Sequence, residues 1–222
     1  MKRLACWILI SAAAFAQVAE KANEGYKTQE GRAAVAKGLA SADREARQKP
    51  REIVEAMGLS IGESVADVGT GVGFMLPYLS HAVGDTGRVY AEDIQTDFLD
   101  QARTKAKLEG LNNVELVLGT DRDPKLPGDT LSGVLVLDVY HHFDYPEAML
   151  EHIRNSLLSD GKLVIVEYFK RHGAMGPGDR ALEHIRLDQN DLIQEVEANG
   201  FRLVSKRELI PNSQYIAIFQ KK

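Results

Sequence analysis

Short apolar runs alternate with amphipathic stretches along most of this chain. Apolar segments of strand length fall at residues 65–68, 88–93, 114–118, 134–137 and 163–166. Between them apolar residues recur at helical spacing, as in Phe98, Leu99 and Ala102, and we expect Thr96 to be the N-cap of that helix. Alternation of strands and helices predicts an α/β fold with a parallel sheet and helices on both faces.

The C-terminal pattern differs from that alternation. Residues 201–206 alternate apolar and polar side chains, and residues 215–219 are apolar on both faces, with a short turn at Pro211 and Asn212 between them. Two strands joined by so short a turn pair in antiparallel fashion. The two-sided apolar character of the last strand predicts that it lies inside the sheet, with the preceding strand at the edge.

A glycine-rich turn follows the first strand, where Val65 to Gly73 read VADVGTGVG. Alternate glycines allow positive φ and a close approach of a ligand to the main chain, and the helix predicted over 74–83 points its unpaired N–H groups at the same place. A dinucleotide fingerprint opens in the same way, but its third glycine would fall at Phe74. The turn therefore predicts a nucleotide-like ligand other than a dinucleotide.

The pattern [VA]-x-D-x-G-T-G-x-G resembles the first motif of the class I S-adenosylmethionine (SAM) methyltransferases. The likeness extends over residues 48–222 and includes VYAEDIQ, VLVLDVYHHF and the Gly200-Phe201 pair. It implies a Rossmann-like, doubly wound, seven-stranded sheet, mostly parallel with an antiparallel last strand. It also implies SAM as cofactor and methyl transfer to a small-molecule acceptor, as in the quinone-methylating type, by in-line displacement.

The same resemblance assigns the cofactor side of the site. Asp67 would hold the methionine amino group, directly or through water, Asp93 would accept hydrogen bonds from the ribose hydroxyls, and Ile94 would pack against adenine. Glu92, the strand neighbour of Asp93, is expected to point the other way. Asp121 and Asp123 are alternatives for the adenine amino group, of which we favour Asp123, although either also suits a turn. The predicted cofactor-binding set is Asp67, Gly69, Thr70, Gly71, Gly73, Asp93, Ile94, Asp123 and Asp138.

The loop after the fourth strand carries the candidate catalytic residues Tyr140, His141 and His142. Open α/β sheets bind ligands at this edge, and a histidine there suits a general base near neutral pH. Side chains of adjacent histidines diverge, so we expect only one of them to face the acceptor; the other reading is a histidine that caps the strand or bonds internally. Weaker acceptor-side candidates are Glu167, Tyr168, His184 and Arg186. The [DN]-P-P-[YF] signature of amino-methylating enzymes is absent, which disfavours a base-amine acceptor.

The N-terminus has the pattern of a secretory signal peptide. Lys2 and Arg3 precede an apolar run that ends in Ala14-Phe15-Ala16, an A-x-A cleavage site. We therefore predict removal of residues 1–16, a periplasmic or secreted product and no stable membrane insertion afterwards. Retention of the segment would instead give a cytoplasmic, membrane-tethered enzyme.

Composition narrows the partners. The formal charge of −5, which becomes −7 without the predicted signal peptide, disfavours a nucleic-acid partner.

We expect residues 17–49 to form a helical lid and residues 50–222 the cofactor-binding domain.

Two other functions compete with methyl transfer. Export away from the cytosolic supply of SAM favours a SAM-binding or sensory module without turnover. Metal-dependent hydrolysis or oxidation would need Asp138, His141, His142 and His184 to converge, but their spacing matches no standard ligand pattern, and we predict no metal.

Overall fold

The computed structural model describes residues 18–222. The predicted signal peptide, residues 1–16, and Gln17, the predicted first residue of the mature chain, lie outside the described residues. Within residues 18–222 no helix is both long and apolar enough to cross a membrane.

Seven strands form one sheet in the described residues, in the order β3-β2-β1-β4-β5-β7-β6. The strands are β1 (Ser64–Val68), β2 (Arg88–Asp93), β3 (Val114–Leu118), β4 (Leu131–Leu137), β5 (Leu157–Tyr168), β6 (Phe201–Ile210) and β7 (Gln214–Lys221). Strands β1 to β5 pair in parallel, whereas β7 is antiparallel to both of its neighbours, β5 and β6. The predicted fold, including insertion of the last strand inside the sheet, is confirmed.

Helices cover both faces of this sheet. The N-terminal helices are α1 (Glu20–Asn23), α2 (Gln29–Leu39) and α3 (Arg44–Gln48); the others are α4 (Pro50–Met57), α5 (Leu76–Val83), α6 (Thr96–Leu108), α7 (Pro146–Ser156), α8 (Arg180–His184) and α9 (Gln189–Ala198). Helices α4, α5 and α6 pack on one face with Leu135 and Leu137 of β4. Helices α7 and α9 pack on the other with Val134 and Val136, as expected of a strand buried on both faces.

Some predicted boundaries are wrong by a few residues. The helix after the glycine turn begins at Leu76 rather than Phe74, with Pro77 in its first turn. Thr96 is the first helical residue of α6 and not its N-cap, which is Gln95. The Asp93 carboxylate accepts the N–H of Gln95 at 2.8 Å, and α6 has no side-chain capping hydrogen bond.

Candidate active site

A cavity of about 330 Å³ opens at the carboxyl ends of β1, β2 and β4. This size is at the lower end of the range for small-molecule sites. The N-terminal segment contributes Glu20, Asn23, Tyr26, Lys27, Leu39 and Arg44 to its lining. The sheet side contributes the glycine turn, the residues after β2 and the loop after β4, so the topology brings the predicted cofactor and acceptor regions together.

The glycine turn has the backbone conformation that its sequence predicts. Gly69, Gly71 and Gly73 all have positive φ. A Cβ atom on Gly69 would lie 2.6 Å from both methyl carbons of Val139, and Gly69 and Gly71 line the cavity. Gly73 lies against Leu76 instead, so in this structure it serves close packing of the turn onto the helix rather than lining the cavity.

Asp67 lies beneath the turn and is 2% exposed. Its carboxylate accepts a hydrogen bond of 2.7 Å from the Thr70 hydroxyl, and it does not itself line the cavity, whereas Thr70 does. Burial raises the pKa of Asp67 to about 6, against the opposing effects of the Thr70 hydrogen bond and the Arg44 charge. Of the two predicted modes, this geometry favours contact through water over direct contact between Asp67 and the methionine amino group.

Asp93 lines the cavity beside the turn. One carboxylate oxygen accepts the N–H of Gly71 at 2.9 Å, and the other accepts the N–H of Gln95. Burial raises its pKa to about 6, while the backbone hydrogen bonds oppose that rise. Asp93 thus fixes the glycine turn and presents its remaining lone pairs to the cavity, as a ribose-binding carboxylate requires.

Glu92 does not point away from the site, as we expected, but lines the same cavity. One of its oxygens accepts the N–H of Gly69 at 3.2 Å, and the other, Oε1, has no partner among the described residues. Burial, followed by the charge of Asp93, raises its pKa well above the usual value. The expectation came from strict alternation along β2, which does not hold where the strand ends.

Ile94, Asp121 and Asp123 are the residues predicted to contact adenine, and the structure places only two of them at the cavity. Ile94 is 47% exposed and lines the cavity, in a place that suits packing against a ring. Asp121 also lines the cavity, whereas Asp123 does not; Asp123 forms an ion pair with Lys125 and accepts its backbone N–H. Asp121 is therefore the better candidate, and our preference for Asp123 does not agree with this geometry.

Tyr140 is not placed for catalysis. It is 1% exposed, and its hydroxyl donates a 2.7 Å hydrogen bond to Glu195 of α9. Arg186 also binds Glu195, at 2.8 and 2.5 Å, and so neither Tyr140 nor Arg186 lines the cavity. The prediction of a catalytic Tyr140 is corrected because its ring packs on the α7 and α9 side of the sheet.

Asp138 occupies the cavity wall at the end of β4 with a φ of +57°, which is uncommon for a residue other than glycine. Its Oδ1 atom accepts a hydrogen bond of 2.6 Å from Gln214 of β7. Burial and the nearby Glu167 charge raise its pKa to about 7. The inserted last strand therefore supports this predicted cofactor residue directly.

His141, His142 and His184 converge, contrary to the expected divergence of adjacent histidines. Their ring centroids are separated by 4.1 Å for His141 and His142, 4.9 Å for His141 and His184, and 5.3 Å for His142 and His184. His142 lines the cavity, and His141 lies behind it, 3% exposed. A short 3₁₀ turn over Tyr140–His142 accounts for this arrangement, since its side chains do not alternate as in a strand.

Three residues of the N-terminal segment belong to the site but had no motif to mark them. Asn23 accepts from His142 Nδ1 at 2.8 Å through its Oδ1 atom, and Tyr26 packs edge-on against the His142 ring. Arg44, only 8% exposed, stacks over Phe74 at 4.3 Å from Cζ to the ring centroid and lines the cavity. Each lies in an alanine- and charge-rich stretch whose sequence predicts helices and no chemistry.

Comparison with known proteins supports the class that this fold and cavity indicate. Residues 66–165 match the family model described as a methyltransferase domain. A SAM-dependent methyltransferase of known structure from Aquifex aeolicus superposes with a TM-score of 0.78, at 27% identity, over 85% of this chain and 98% of that one.

Curated relatives point the same way over a shorter span. The ubiquinone/menaquinone biosynthesis C-methyltransferase UbiE of Shewanella sp. (strain W3-18-1) is 29% identical over 121 residues, 54% of this chain and 48% of that protein. A phosphatidylethanolamine N-methyltransferase of Cereibacter sphaeroides is 29% identical over 137 residues, 61% of this chain and 66% of that protein. The chain spans about half the length of the UbiE proteins that it matches.

Residues 66–165 thus match a methyltransferase domain, and the described residues share the fold of a SAM-dependent methyltransferase. SAM is accordingly its cofactor, and the residues present fit that molecule on three observations. The backbone of Gly69 and Gly71 borders the cavity, Asp93 offers carboxylate oxygens to hydroxyl groups, and Glu92 Oε1 is a buried acceptor without a partner in the described chain.

Proposed function

We propose that this protein transfers a methyl group from SAM to a small-molecule acceptor that enters the cavity from the side of His142. The observation that carries this proposal is one cavity bordered both by the glycine turn with Asp93 and by the loop after β4. A fold alone would not suffice, because a structure described as a [4+2]-cyclase, SpnF, shares it at a TM-score of 0.68 and 14% identity.

When bound, SAM supplies an electrophilic methyl group on its sulfonium, so that an acceptor lone pair forms the bond to carbon while the carbon–sulfur bond breaks towards sulfur. The protein contributes orientation and exclusion of water. Asp93 and the turn fix one reactant, and apolar side chains including Leu137, Val139 and Phe143 surround the space next to it. Fixing two reactants in this manner can lower the activation free energy by about 7–11 kcal/mol.

His142 forms the wall of the cavity that we assign to the methyl acceptor, and His141 and His184 lie behind it. Burial lowers the pKa of His142 well below its usual value, so its imidazole is neutral at pH 7. A neutral imidazole on this wall suits either a proton acceptor or a metal ligand. The quinone-pathway and phospholipid names of the relatives make lipophilic acceptors the first to assay.

Calorimetric titration with SAM tests the cofactor half of the proposal. Asp93→Ala is expected to weaken binding about 10- to 150-fold through loss of charged hydrogen bonds to the ribose. Gly71→Val is expected to weaken it because a side chain there meets Leu39 at 3.0 Å and a φ of +57°. The matched control is Gly110→Val, which adds the same volume at a φ of +68° in open space far from the cavity. A folded wild-type sample that does not bind SAM would overturn the proposal.

Turnover is tested separately by incubating the protein with methyl-labelled SAM and an extract of its native host. Label is expected in a small, extractable product, and boiled protein and the Asp93→Ala variant serve as controls. SAM binding without any labelled product would favour the non-catalytic binding module instead.

We also propose that the protein is exported and that its mature chain begins at Gln17. The support is the sequence of residues 1–16, with two cations, an apolar run and an A-x-A site. Mass spectrometry of the protein from its host is expected to show an N-terminus at Gln17 in the exported fraction. An intact Met1 in the cytosolic fraction would refute export.

A further inference from the structure

His141, His142 and His184 present one ligand atom each within 4.8 Å of one another. They come from two distant elements, the 3₁₀ turn Tyr140–His142 after β4 and the last residue of α8. Three imidazoles in one cluster are unusual in a site that needs at most one proton acceptor. The cluster lies beside the cavity, since His142 is part of the cavity wall.

Hydrogen bonds to Nδ1 orient two of the three rings. His141 Nδ1 lies 2.7 Å from Glu167 Oε2, and His142 Nδ1 lies 2.8 Å from Asn23 Oδ1. Because a carboxylate and an amide oxygen only accept, each Nδ1 carries a proton, which leaves Nε2 as the nitrogen available to a metal in the neutral ring. Metal-bound histidines are held in the same way, with the second ring nitrogen donating to a carboxylate or carbonyl oxygen.

The charges around the cluster also suit a cation. Glu167 is fully buried and accepts from His141 through both its backbone N–H and its ring, and Asp138 lies close enough for the two carboxylates to influence each other. Three imidazoles therefore lie next to acidic side chains that can balance the charge of a bound cation.

We propose that His141, His142 and His184 bind one divalent transition metal ion, of which Zn²⁺ is the reference case, with an open coordination position towards the cavity. Three protein ligands and an open position are the pattern of catalytic rather than structural zinc sites. Imidazole ligands also suit copper, iron and nickel, and do not suit Mg²⁺.

Binding requires a small local closure. Tetrahedral Zn–N bonds of 2.0–2.1 Å place ligand nitrogens roughly 3.3 Å apart. Helix α8 has five residues and follows a loop in which Gly173, Gly176 and Gly178 have positive φ, so His184 is the ligand that moves. The Tyr26 hydroxyl, 3.4 Å from His142 Nε2, is displaced from a long contact only.

The role of this metal rests on the proposed methyl transfer. Its open position takes a hydroxyl oxygen of the acceptor, and a bound cation lowers the pKa of a coordinated hydroxyl. The three histidines then act as ligands, and none of them needs to act as a base. This narrows the acceptor to molecules that carry a phenol, enol or similar hydroxyl near the methylated atom.

The test measures metal binding on the full mature chain, purified without a metal-chelating tag. Zn²⁺ is expected to bind with one equivalent per chain by calorimetry, and Co²⁺ to give visible d–d absorption bands typical of low coordination number. Mg²⁺ is the negative probe. His184→Ala is expected to abolish the Co²⁺ bands and to weaken Zn²⁺ binding by more than about 100-fold, beyond the range for loss of a ligand-orienting group.

Two further variants keep the result interpretable. Asn23→Ala removes the group that orients His142 and is expected to weaken Zn²⁺ binding about 10- to 100-fold while the spectrum keeps its form. His81→Ala removes an exposed histidine of α5 and is expected to change nothing. Because His184 is partly exposed at the end of a short helix, His184→Ala is expected to fold, which circular dichroism checks.

Absence of Zn²⁺ and Co²⁺ binding by folded wild type would overturn the metal site, as would binding that His184→Ala leaves unchanged. SAM titration of the same sample separates this failure from failure of the proposed function. A protein that binds SAM but no metal keeps methyl transfer and loses the metal, whereas one that binds metal but no SAM does the reverse.

Discussion

Replacement of Gly69 by alanine tests whether a glycine is needed there for close packing against Val139 or only for its positive φ. Gly69 has a φ of +71°, and an added Cβ would lie 2.6 Å from Cγ1 and Cγ2 of Val139 and 3.1 Å from its Cβ. Positive φ costs an alanine about 1–2 kcal/mol. Crowding Val139, whose Cβ cannot rotate away, adds about 1–3 kcal/mol as overpacking. The free energy of unfolding should therefore fall by about 2–5 kcal/mol.

The chain offers a control for each contribution. Gly110→Ala has nearly the same φ, +68°, with nothing within 4 Å, so it measures the backbone cost alone. The double variant Gly69→Ala/Val139→Ala removes the crowding methyls and should recover the overpacking energy as a coupling of about 1–3 kcal/mol. Urea denaturation of wild type, the double variant and the single variants Gly69→Ala, Val139→Ala and Gly110→Ala, with unchanged m-values, gives these numbers. Equal losses for Gly69→Ala and Gly110→Ala, with no coupling to Val139, would refute the close-packed turn.

Three further results are expected. Tyr140→Phe should lower the free energy of unfolding by about 1–3 kcal/mol, because Glu195 loses a partly buried hydrogen bond. The kcat for methyl transfer should stay unchanged, and a large loss of kcat would show that Tyr140 does act in catalysis. SAM affinity should rise between pH 5 and pH 7, because Asp67 and Asp93, with pKa values raised to about 6, lose their protons over that interval. Only the ionised carboxylates attract a cationic ligand, so calorimetry should show a gain in affinity of about tenfold for each group. Arg44→Met should move the midpoint of that profile upward, since the Arg44 charge lowers the pKa of Asp67; a midpoint that stays in place would contradict the assigned coupling.

Most of the fold followed from local patterns in the chain. The turns between the strands leave few alternative strand boundaries. Two-sided apolar character distinguished the buried last strand from its edge neighbour, Phe201–Ile210. The positive φ values of Gly69 and Gly71 also followed from residue type, because few other residues adopt them cheaply. These features depend on residues close together in sequence, which is why the sequence sufficed.

The errors concern side-chain directions that tertiary contacts decide. Tyr140 and His142 are two residues apart, yet one is buried against α9 and the other lines the cavity, because both belong to a 3₁₀ turn, in which residues two apart do not share a face. Strand alternation predicted Glu92 away from the site, but β2 ends one residue later. His184 approaches His141 only through the packing of α8, and the order of residues in the chain carries no signal of that approach.

The N-terminal segment connects the two halves of the site. Leu39 lies over Gly71 and Arg44 over Phe74 on the cofactor side, whereas Asn23 binds His142 on the acceptor side. Because each contact is made by a different part of residues 20–48, the cavity is completed only when the whole segment is docked. An opening of this segment would therefore disturb both sides of the cavity. The role of residues 17–49 as a lid stays a prediction, but these contacts explain why such an opening would affect cofactor binding and the histidine cluster together.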